Sequence, residues 1–343
     1  MLREVRAQKE PPMTTQLTTP NGVNFLSTPL ENFEAISDFP YETHYLDLDG
    51  LQLAYIDEGP RDAPVMLMVH GMPTWSYLYR HMIKAFLAQG FRCVAPDHIG
   101  FGKSSKVVDP EWYSITRHAD NLTRLIDSLN LMDVTLIVQD WGGPIGLSQY
   151  QNSPQRFSRL VIMNTWLHHD TYEYSPGIQG WISQNSPGGI FRDNVPAKFN
   201  WGTLMAMSTQ RVSPQDSLFA IMGGEEPRLT EEALAVKTAY DAPFIGLGED
   251  GVSGPRRFPL SIPANGANPD NASKHQQVFA TVNQTTLPVH FVWGVADNVF
   301  TKEWGLKWHS MLPHSTWYEV EGGHFLQDTH GTEIAEHVLS HFA

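Results

Sequence analysis

Residues 134–144 read VTLIVQDWGGP, an apolar segment that runs directly into an aspartate, a tryptophan and two glycines. The segment Val134–Gln139 suits a strand that is buried on both faces of a parallel sheet. Gly142 permits a tight turn, and Pro144 would stand in the first turn of a following helix, where its missing N–H costs little. The sequence therefore predicts a strand–turn–helix unit with Asp140 at the turn.

This turn has the form of a nucleophile elbow, the G-x-S-x-G pattern that presents a catalytic serine after a buried strand. Asp140 stands in place of the serine, and Val138 stands in place of the first glycine. Such a turn lifts the central side chain out of the sheet and leaves the next backbone N–H, that of Trp141, able to bind an oxyanion. The structural alternative is that Asp140 only caps the following helix, a common role of aspartate.

Short apolar segments alternate with longer helical ones on both sides of this unit, which is typical of an α/β fold with a mostly parallel sheet. Further strands are predicted at 45–49, 51–57, 65–70, 91–96, 160–164, 289–295 and 316–320. Helices are predicted at 78–89, at 118–129, directly after Trp141 and at 332–341.

The middle of the chain has a different character from the rest. Residues 169–245 are rich in Pro, Gly, Trp and Met and have no buried-strand segment, so we predict a helical cap there, inserted after the sixth strand. Residues 25–168 and 246–343 would then form the main domain. We predict that residues 1–24 are a disordered N-terminal extension.

The composition argues against several classes of partner. Lys and Arg number 23 against 37 Asp and Glu, a net charge of −14, and a chain this acidic repels nucleic-acid phosphates and anionic lipid. The purest apolar segment, Val65–Val69, is far shorter than the roughly 18 residues that a membrane span needs. The N-terminus lacks the apolar segment of a secretory signal. We therefore expect no nucleic-acid partner, no membrane attachment and a cytoplasmic location.

Metal and disulfide chemistry are also disfavoured. Cys93 is the one cysteine, which rules out an internal disulfide and a cysteine-based zinc site. His168, His169 and Asp170 are adjacent instead of being spaced one helical turn apart, as helix-borne metal ligands are. We expect no metal and no cofactor.

Two residues with acid–base chemistry follow late strands. Asp297 comes after the predicted strand 289–295, and His324 comes after the strand 316–320 and two glycines. In hydrolases with a nucleophile elbow the chain order is nucleophile, acid, histidine, and the carboxyl ends of parallel strands meet at one edge of the sheet. Met72 follows an earlier strand, at the place where this type of fold takes its second oxyanion N–H. These positions predict one site at that edge.

The motifs together resemble the haloalkane dehalogenases, and the resemblance extends from about Phe25 to the end of the chain. The segments that carry it are HGMPTWSYLYR at 70–80, APD at 95–97, GFGKS at 100–104, QDWGG at 139–143, YDAPF at 240–244, RRFP at 256–259 and GHF at 323–325. The resemblance implies an α/β-hydrolase fold, with a mostly parallel eight-stranded sheet flanked by helices and an inserted helical cap.

It also implies a mechanism and a role in detoxification. Asp140 would displace halide from a halogenated alkane and form an alkyl ester, and His324, oriented by Asp297, would activate water against that ester. The backbone N–H groups of Met72 and Trp141 would hold the oxyanion. The products would be an alcohol, halide and a proton, without a cofactor, and the protein would act as a monomer.

The halide needs neutral donors, and the resemblance implies two. The indole N–H of Trp141 is the first. Trp181, in the predicted cap, lies about where the tryptophan-pair subfamily takes its second donor, with Trp166 and Trp201 as rivals. Met72 departs from the glutamate that is common at its position in that subfamily, so the subfamily and the range of substrates stay open.

Two other functions remain as alternatives. A soluble epoxide hydrolase would use the same three catalytic residues and cap tyrosines to protonate the epoxide oxygen, for which Tyr172, Tyr174 and Tyr240 are available. A non-catalytic binding protein on a hydrolase scaffold would have no need of a complete catalytic set.

Overall fold

The structure is a computed structural model that describes residues 15–189, 201–209 and 229–342. The strands in chain order are β1 (Gln16–Thr18), β2 (Asn24–Leu26), β3 (His44–Leu48), β4 (Leu51–Glu58), β5 (Val65–Val69), β6 (Arg92–Pro96), β7 (Lys106–Val107), β8 (Val134–Gln139), β9 (Phe157–Met163), β10 (Val289–Gly294) and β11 (Thr316–Val320). The α-helices are α1 (Arg80–Ala88), α2 (Ile115–Ser128), α3 (Gly142–Asn152), α4 (Pro176–Asn185), α5 (Trp201–Ser208), α6 (Glu231–Asp241), α7 (Ser253–Leu260), α8 (Pro269–Val282), α9 (Lys302–Ser310) and α10 (Leu326–Leu339).

The main sheet has eight strands in the order β11-β10-β9-β8-β5-β6-β4-β3. Strands β3 and β4 form an antiparallel hairpin, and β4 also pairs antiparallel with β6. The strands β6, β5, β8, β9, β10 and β11 run parallel to one another. Every residue of β5 and of β8 is buried. This confirms the predicted α/β-hydrolase fold class, because near-continuous apolar strands are those that helices cover on both faces.

The hydrophobic core lies on both faces of this sheet. Alternate residues of β5 belong to opposite clusters, with Leu67 and Val69 in one and Met66 and Met68 in the other. This follows from the two-residue period of a strand. Because side chains fill both faces of the sheet, a ligand can bind only at its edges. The carboxyl ends of the parallel strands meet at one such edge.

Some of the helices begin where the sequence supplies a side-chain cap. Ser114 accepts a hydrogen bond from the backbone N–H of Arg117 at the start of α2, and Ser175 does the same for Ile178 at the start of α4. Helix α3 follows the turn after β8, with Pro144 in its first turn. The helices α4, α5 and α6 follow β9, the sixth strand of the main sheet, and lie in the segment 169–245 that the sequence assigns to a cap.

Two sequence predictions about ordered segments need correction. The predicted disorder of residues 1–24 is wrong for residues 16–24, because β1 pairs antiparallel with β2, which in turn pairs with β7; residues 1–14 lie outside the described part of the chain. The last helix begins at Leu326 instead of residue 332. It continues through Gly331, where a side chain would press against His81 of α1, with one non-helical residue at His330.

Within the three described ranges, no helix is both long enough and apolar enough to cross a membrane.

Candidate active site

Asp140 stands on a sharp turn between β8 and α3. Its φ is 53°, in the left-handed region that most residues avoid, and its backbone N–H donates to the carbonyl of Asn164 at 3.0 Å. Gly142 makes the turn possible, because a side chain there would collide with the backbone carbonyl of Val69. The geometry is that of the predicted nucleophile elbow, with Asp140 only 7% exposed.

The Asp140 carboxylate contacts the loop after β5. Its Oδ1 accepts a hydrogen bond from the backbone N–H of Met72 at 2.8 Å. Gly71 permits this approach, because a Cβ at that position would collide with the same carboxylate. Thr165 supports the turn from below, with its Oγ1 donating to the Asp140 carbonyl at 2.5 Å. The Met72 N–H therefore lies where the sequence predicts an oxyanion donor, while the same role for the Trp141 N–H stays a prediction.

His324 joins two carboxylates that come from different strands. Its Nδ1 lies 2.8 Å from Oδ2 of Asp297, and its Nε2 lies 3.4 Å from Oδ2 of Asp140. The three residues follow β11, β10 and β8, so the structure brings together the three residues that the sequence selects by their chain order. A histidine held by one carboxylate and directed at another can move a proton next to that second carboxyl group.

Asp297 is held by more hydrogen bonds than the sequence indicated. Oδ1 accepts from the backbone N–H groups of Val299 at 2.7 Å and Phe300 at 3.2 Å, and Oδ2 accepts from Nδ2 of Asn164 at 2.7 Å. Asn164 also bonds the backbone of Gly294 with both ends of its amide, which fixes its orientation. Sequence analysis missed Asn164, although a polar residue directly after the buried strand β9 was an available signal.

The pKa of His324 reflects a competition between burial and charge. Burial lowers it, but the carboxylates of Asp297 and Asp140 outweigh burial and raise the pKa of His324 to about 10. The imidazolium is therefore favoured while both carboxylates carry charge. Loss of the charge on Asp140 would return the ring toward its neutral, basic form.

Gln139, the last residue of β8, also contacts His324. Its Nε2 lies 2.9 Å from the His324 carbonyl and 3.2 Å from Nε2 of the His324 ring. Its Oε1 has no hydrogen-bond partner among the described residues. The sequence motif includes Gln139, but residue type and spacing gave no reason to assign it a role.

A cavity of about 260 Å³ opens above Asp140 and His324. The other residues that line it are mostly apolar: Met72, Pro73, Trp141, Trp166, Trp181, Leu204, Ser208, Ile262, Val299, Phe300 and Phe325. Such a cavity fits a small apolar molecule, which would displace water from the carboxylate when it binds.

The structure separates the tryptophans that the sequence offered as halide donors. Trp141 and Trp181 both line the cavity, as the sequence predicts, and so does Trp166. Trp166 is fully buried and stacks on Phe300, with ring centroids 4.8 Å apart. Trp201 is also buried but lies outside the set of lining residues. One of the two rivals to Trp181 therefore lies away from the cavity.

The tyrosines that an epoxide hydrolase would need lie elsewhere. The Tyr240 hydroxyl donates to Asp328 at 3.0 Å, and the Tyr174 hydroxyl lies 3.0 Å from Nδ1 of His168. Tyr172 packs edge-on against Trp304. Among the described residues, no tyrosine lines the cavity.

Comparison with known proteins gives a consistent result. A family model described as the alpha/beta hydrolase fold matches residues 64–331. The chain is 34% identical to a haloalkane dehalogenase of Mycolicibacterium paratuberculosis, across 93% of this chain and 98% of that protein. It is 30% identical to a cis-3-alkyl-4-alkyloxetan-2-one decarboxylase of Shewanella oneidensis, across 88% of each chain. It matches the tetrameric structure of the haloalkane dehalogenase DpaA from Paraglaciecola agarilytica with a TM-score of 0.78 and 29% identity, over 92% of this chain and 98% of that one.

Proposed function

The chain belongs to the haloalkane dehalogenases of the α/β-hydrolase fold, and from this premise we propose how its residues hydrolyse a carbon–halogen bond. The enzyme is a hydrolase that acts on carbon–halide bonds of halogenated alkanes. The observation that carries the mechanism is the Asp140 carboxylate, on the floor of an apolar cavity and within 3.4 Å of a histidine bound to a second carboxylate.

In the first step, a carboxylate oxygen of Asp140 attacks the carbon that bears the halogen. A carbon–oxygen bond forms while the carbon–halogen bond breaks, and the electron pair leaves with the halide. The product is an alkyl ester on Asp140 and a halide ion. The apolar cavity supports this step, because a carboxylate stripped of water is a stronger nucleophile than a hydrated one.

In the second step, His324 removes a proton from water, which attacks the carbonyl carbon of the ester. The negative charge that develops on the carbonyl oxygen is stabilised by the Met72 N–H, which already donates to Oδ1, and by the Trp141 N–H. The tetrahedral intermediate then collapses: the ester C–O bond breaks, the leaving oxygen takes the remaining proton of the attacking water and departs as the alcohol, and the carboxylate returns. Asp297 stabilises the imidazolium that forms in this step, and His324 releases its proton before the next cycle.

The indole N–H groups of Trp141 and Trp181 receive the departing halide. A neutral N–H stabilises an anion without holding it as tightly as a cation would, and tryptophan can only donate. Because charge on the halogen grows as its bond to carbon breaks, such donors stabilise the transition state more than the bound substrate.

Activity on a small panel of substrates tests this function. We expect 1-bromobutane to give bromide and 1-butanol in equal amounts, and the Asp140→Asn variant, which keeps the shape of the side chain, to release neither. Styrene oxide in the same panel reports the epoxide-hydrolase alternative by diol formation. Diol formation without halide release would overturn the assignment.

The decarboxylase relative suggests a third type of substrate for the panel. Its substrates are four-membered lactones, in which carboxylate is the group that would leave from a saturated carbon. Alkene formation from a cis-3,4-dialkyl-oxetan-2-one, faster than bromide release from any haloalkane, would place this chain with that relative in activity. The cavity of about 260 Å³ favours short haloalkanes over oxetan-2-ones that carry two alkyl chains.

Three sequence predictions remain proposals about the protein as a whole. We propose a cytoplasmic enzyme that detoxifies halogenated alkanes and acts as a monomer. DpaA, the relative described as tetrameric, makes the oligomeric state worth measuring first, and light scattering distinguishes a 38.6 kDa chain from four of them.

A further inference from the structure

The amide of Gln139 touches His324 at two points, and one of them fixes which end of the amide faces the ring. The Gln139 atom that lies 2.9 Å from the His324 backbone oxygen must be the Nε2 donor, because a carbonyl oxygen only accepts. The same Nε2 lies 3.2 Å from Nε2 of the imidazole. A hydrogen-bond donor therefore faces the ring nitrogen that acts as base.

A donor at this place favours one protonation state of the ring. Nδ1 faces Oδ2 of Asp297 at 2.8 Å, so its proton lies on that side in the neutral ring, and Nε2 carries the lone pair. That lone pair accepts from Gln139. In the imidazolium both nitrogens are donors, so the Nε2 proton and the Gln139 amide proton would point at each other.

The charged groups around His324 act in the opposite direction. Asp297 and Asp140 are the charged groups with a resolved influence on its pKa, and both raise it. Phe300 and Phe325 also pack against the ring, with centroids 5.4 and 4.6 Å away, and carry no charge. Among the described side chains that contact this ring, Gln139 therefore differs from the two carboxylates: its hydrogen bond disfavours protonation of Nε2.

We propose that Gln139 is a positioning residue for the hydrolytic step: its amide N–H holds the His324 ring with Nε2 unprotonated beside Asp140 and destabilises the protonated ring, which speeds release of the proton after each turnover. The proposal deepens the function above and rests on it. The unpartnered Oε1 of Gln139 fits this role, because the amide keeps its donor on His324 at the expense of its own acceptor.

The substitution Gln139→Met tests the proposal, because it keeps the length of the side chain and removes the donor. One net hydrogen bond corresponds to a shift of about one pKa unit. We expect the acidic limb of the pH profile of kcat to move upward by about one pH unit, so that turnover below the limb falls up to about tenfold and recovers at higher pH. Gln149→Met is the matched control: it removes another buried glutamine amide, which bonds Ala119 and Thr123 instead of the site, and should leave the limb in place.

A second measurement does not need turnover. NMR titration of the free enzyme with labelled histidine, with the His324 signal identified by its loss in His324→Phe, should give a higher midpoint in Gln139→Met than in the parent. An unchanged midpoint and an unchanged limb would overturn the proposal, even if kcat fell equally at all pH values. Failure of the dehalogenase assignment would appear separately, as absence of halide release in the parent.

Discussion

Oδ2 of Asp297 lies 2.8 Å from Nδ1 of His324, and this contact joins two residues that are 27 positions apart in the chain. The carboxylate is fully engaged, because Asn164 donates to the same oxygen and two backbone N–H groups donate to the other. An acid held this firmly can fix both the orientation and the tautomer of the base, which is the requirement for activating one water molecule.

The substitution Asp297→Asn tests that requirement. The amide keeps the size of the side chain but removes the charge that stabilises the imidazolium, so hydrolysis of the ester should slow by about 10³- to 10⁴-fold. Alkylation, which needs only Asp140 and the halide donors, should persist. Rapid-quench kinetics with 1-bromobutane should therefore give a burst of bromide followed by slow turnover. Loss of the burst, in a variant with native circular dichroism, would show that Asp297 also acts in the first step.

Substitution of Asn164, which donates to Asp297, should have a smaller effect on the same step. Asn164→Ala leaves Asp297 with His324 and two backbone donors, so hydrolysis should fall by a smaller factor, about tenfold. The measured quantity is the rate of ester hydrolysis in a single turnover. A loss as large as that of Asp297→Asn would mean that Asn164 positions the whole loop after β10, not the carboxylate alone.

The second halide donor is tested by three matched substitutions. Trp181→Phe keeps most of the aromatic volume and removes the N–H, so halide binding should weaken and alkylation should slow by tenfold to a few hundredfold, about 1.4–3.5 kcal/mol. Halide-dependent quenching of tryptophan fluorescence reports the binding directly. Trp201→Phe is the control, because Trp201 does not line the cavity. Parent-like quenching in Trp181→Phe, with quenching lost in Trp166→Phe, would move the assignment to Trp166.

A buried ion pair joins α1 and α10, and we expect it to contribute to stability. Arg80 Nη1 lies 2.8 Å from Oδ2 of Asp328, and the Tyr240 hydroxyl donates to the same oxygen. Asp328→Asn removes the buried counter-charge of Arg80 and leaves only the half-exposed Asp38 beside the guanidinium. It should lower the free energy of unfolding by about 3 kcal/mol, measured by urea titration. Asp49→Asn removes the partner of Arg124 in an exposed pair and should cost less than about 1 kcal/mol. Equal losses of unfolding free energy in the two variants would mean that the buried pair stabilises the fold no more than the exposed pair does.

The elbow and the chain order of the candidate catalytic residues could be predicted from sequence, because each of these residues directly follows a recognisable strand. A buried apolar strand followed by Asp140, Trp141 and glycine needs no distant partner to be recognised, and the carboxyl ends of parallel strands converge whichever chain supplies them. For the same reason the main strands agree with the prediction to within a few residues at each end.

The rest depended on contacts between distant parts of the chain. Asn164 and Gln139 acquire their roles only when β8, β9 and β10 lie side by side, and neither residue type signals that by itself. The pairing of Gln16–Thr18 with Asn24–Leu26 also escaped detection, because a polar strand of three residues has no apolar pattern. The cap tryptophans could not be ranked, because their distance from Asp140 depends on how the helices after β9 pack.

The covalent ester on Asp140 is the central claim, and the mass of an alkylated peptide tests it most directly. His324→Phe removes the base but leaves Asp140, Met72 and Trp141 in place. After exposure to 1-bromobutane and proteolysis, the peptide that contains residue 140 should gain the mass of one butyl group in place of a hydrogen, and the same peptide from a His324→Phe, Asp140→Asn double variant should gain nothing. Stoichiometric bromide release with an unmodified residue 140, or with the butyl group on another residue, would contradict the account.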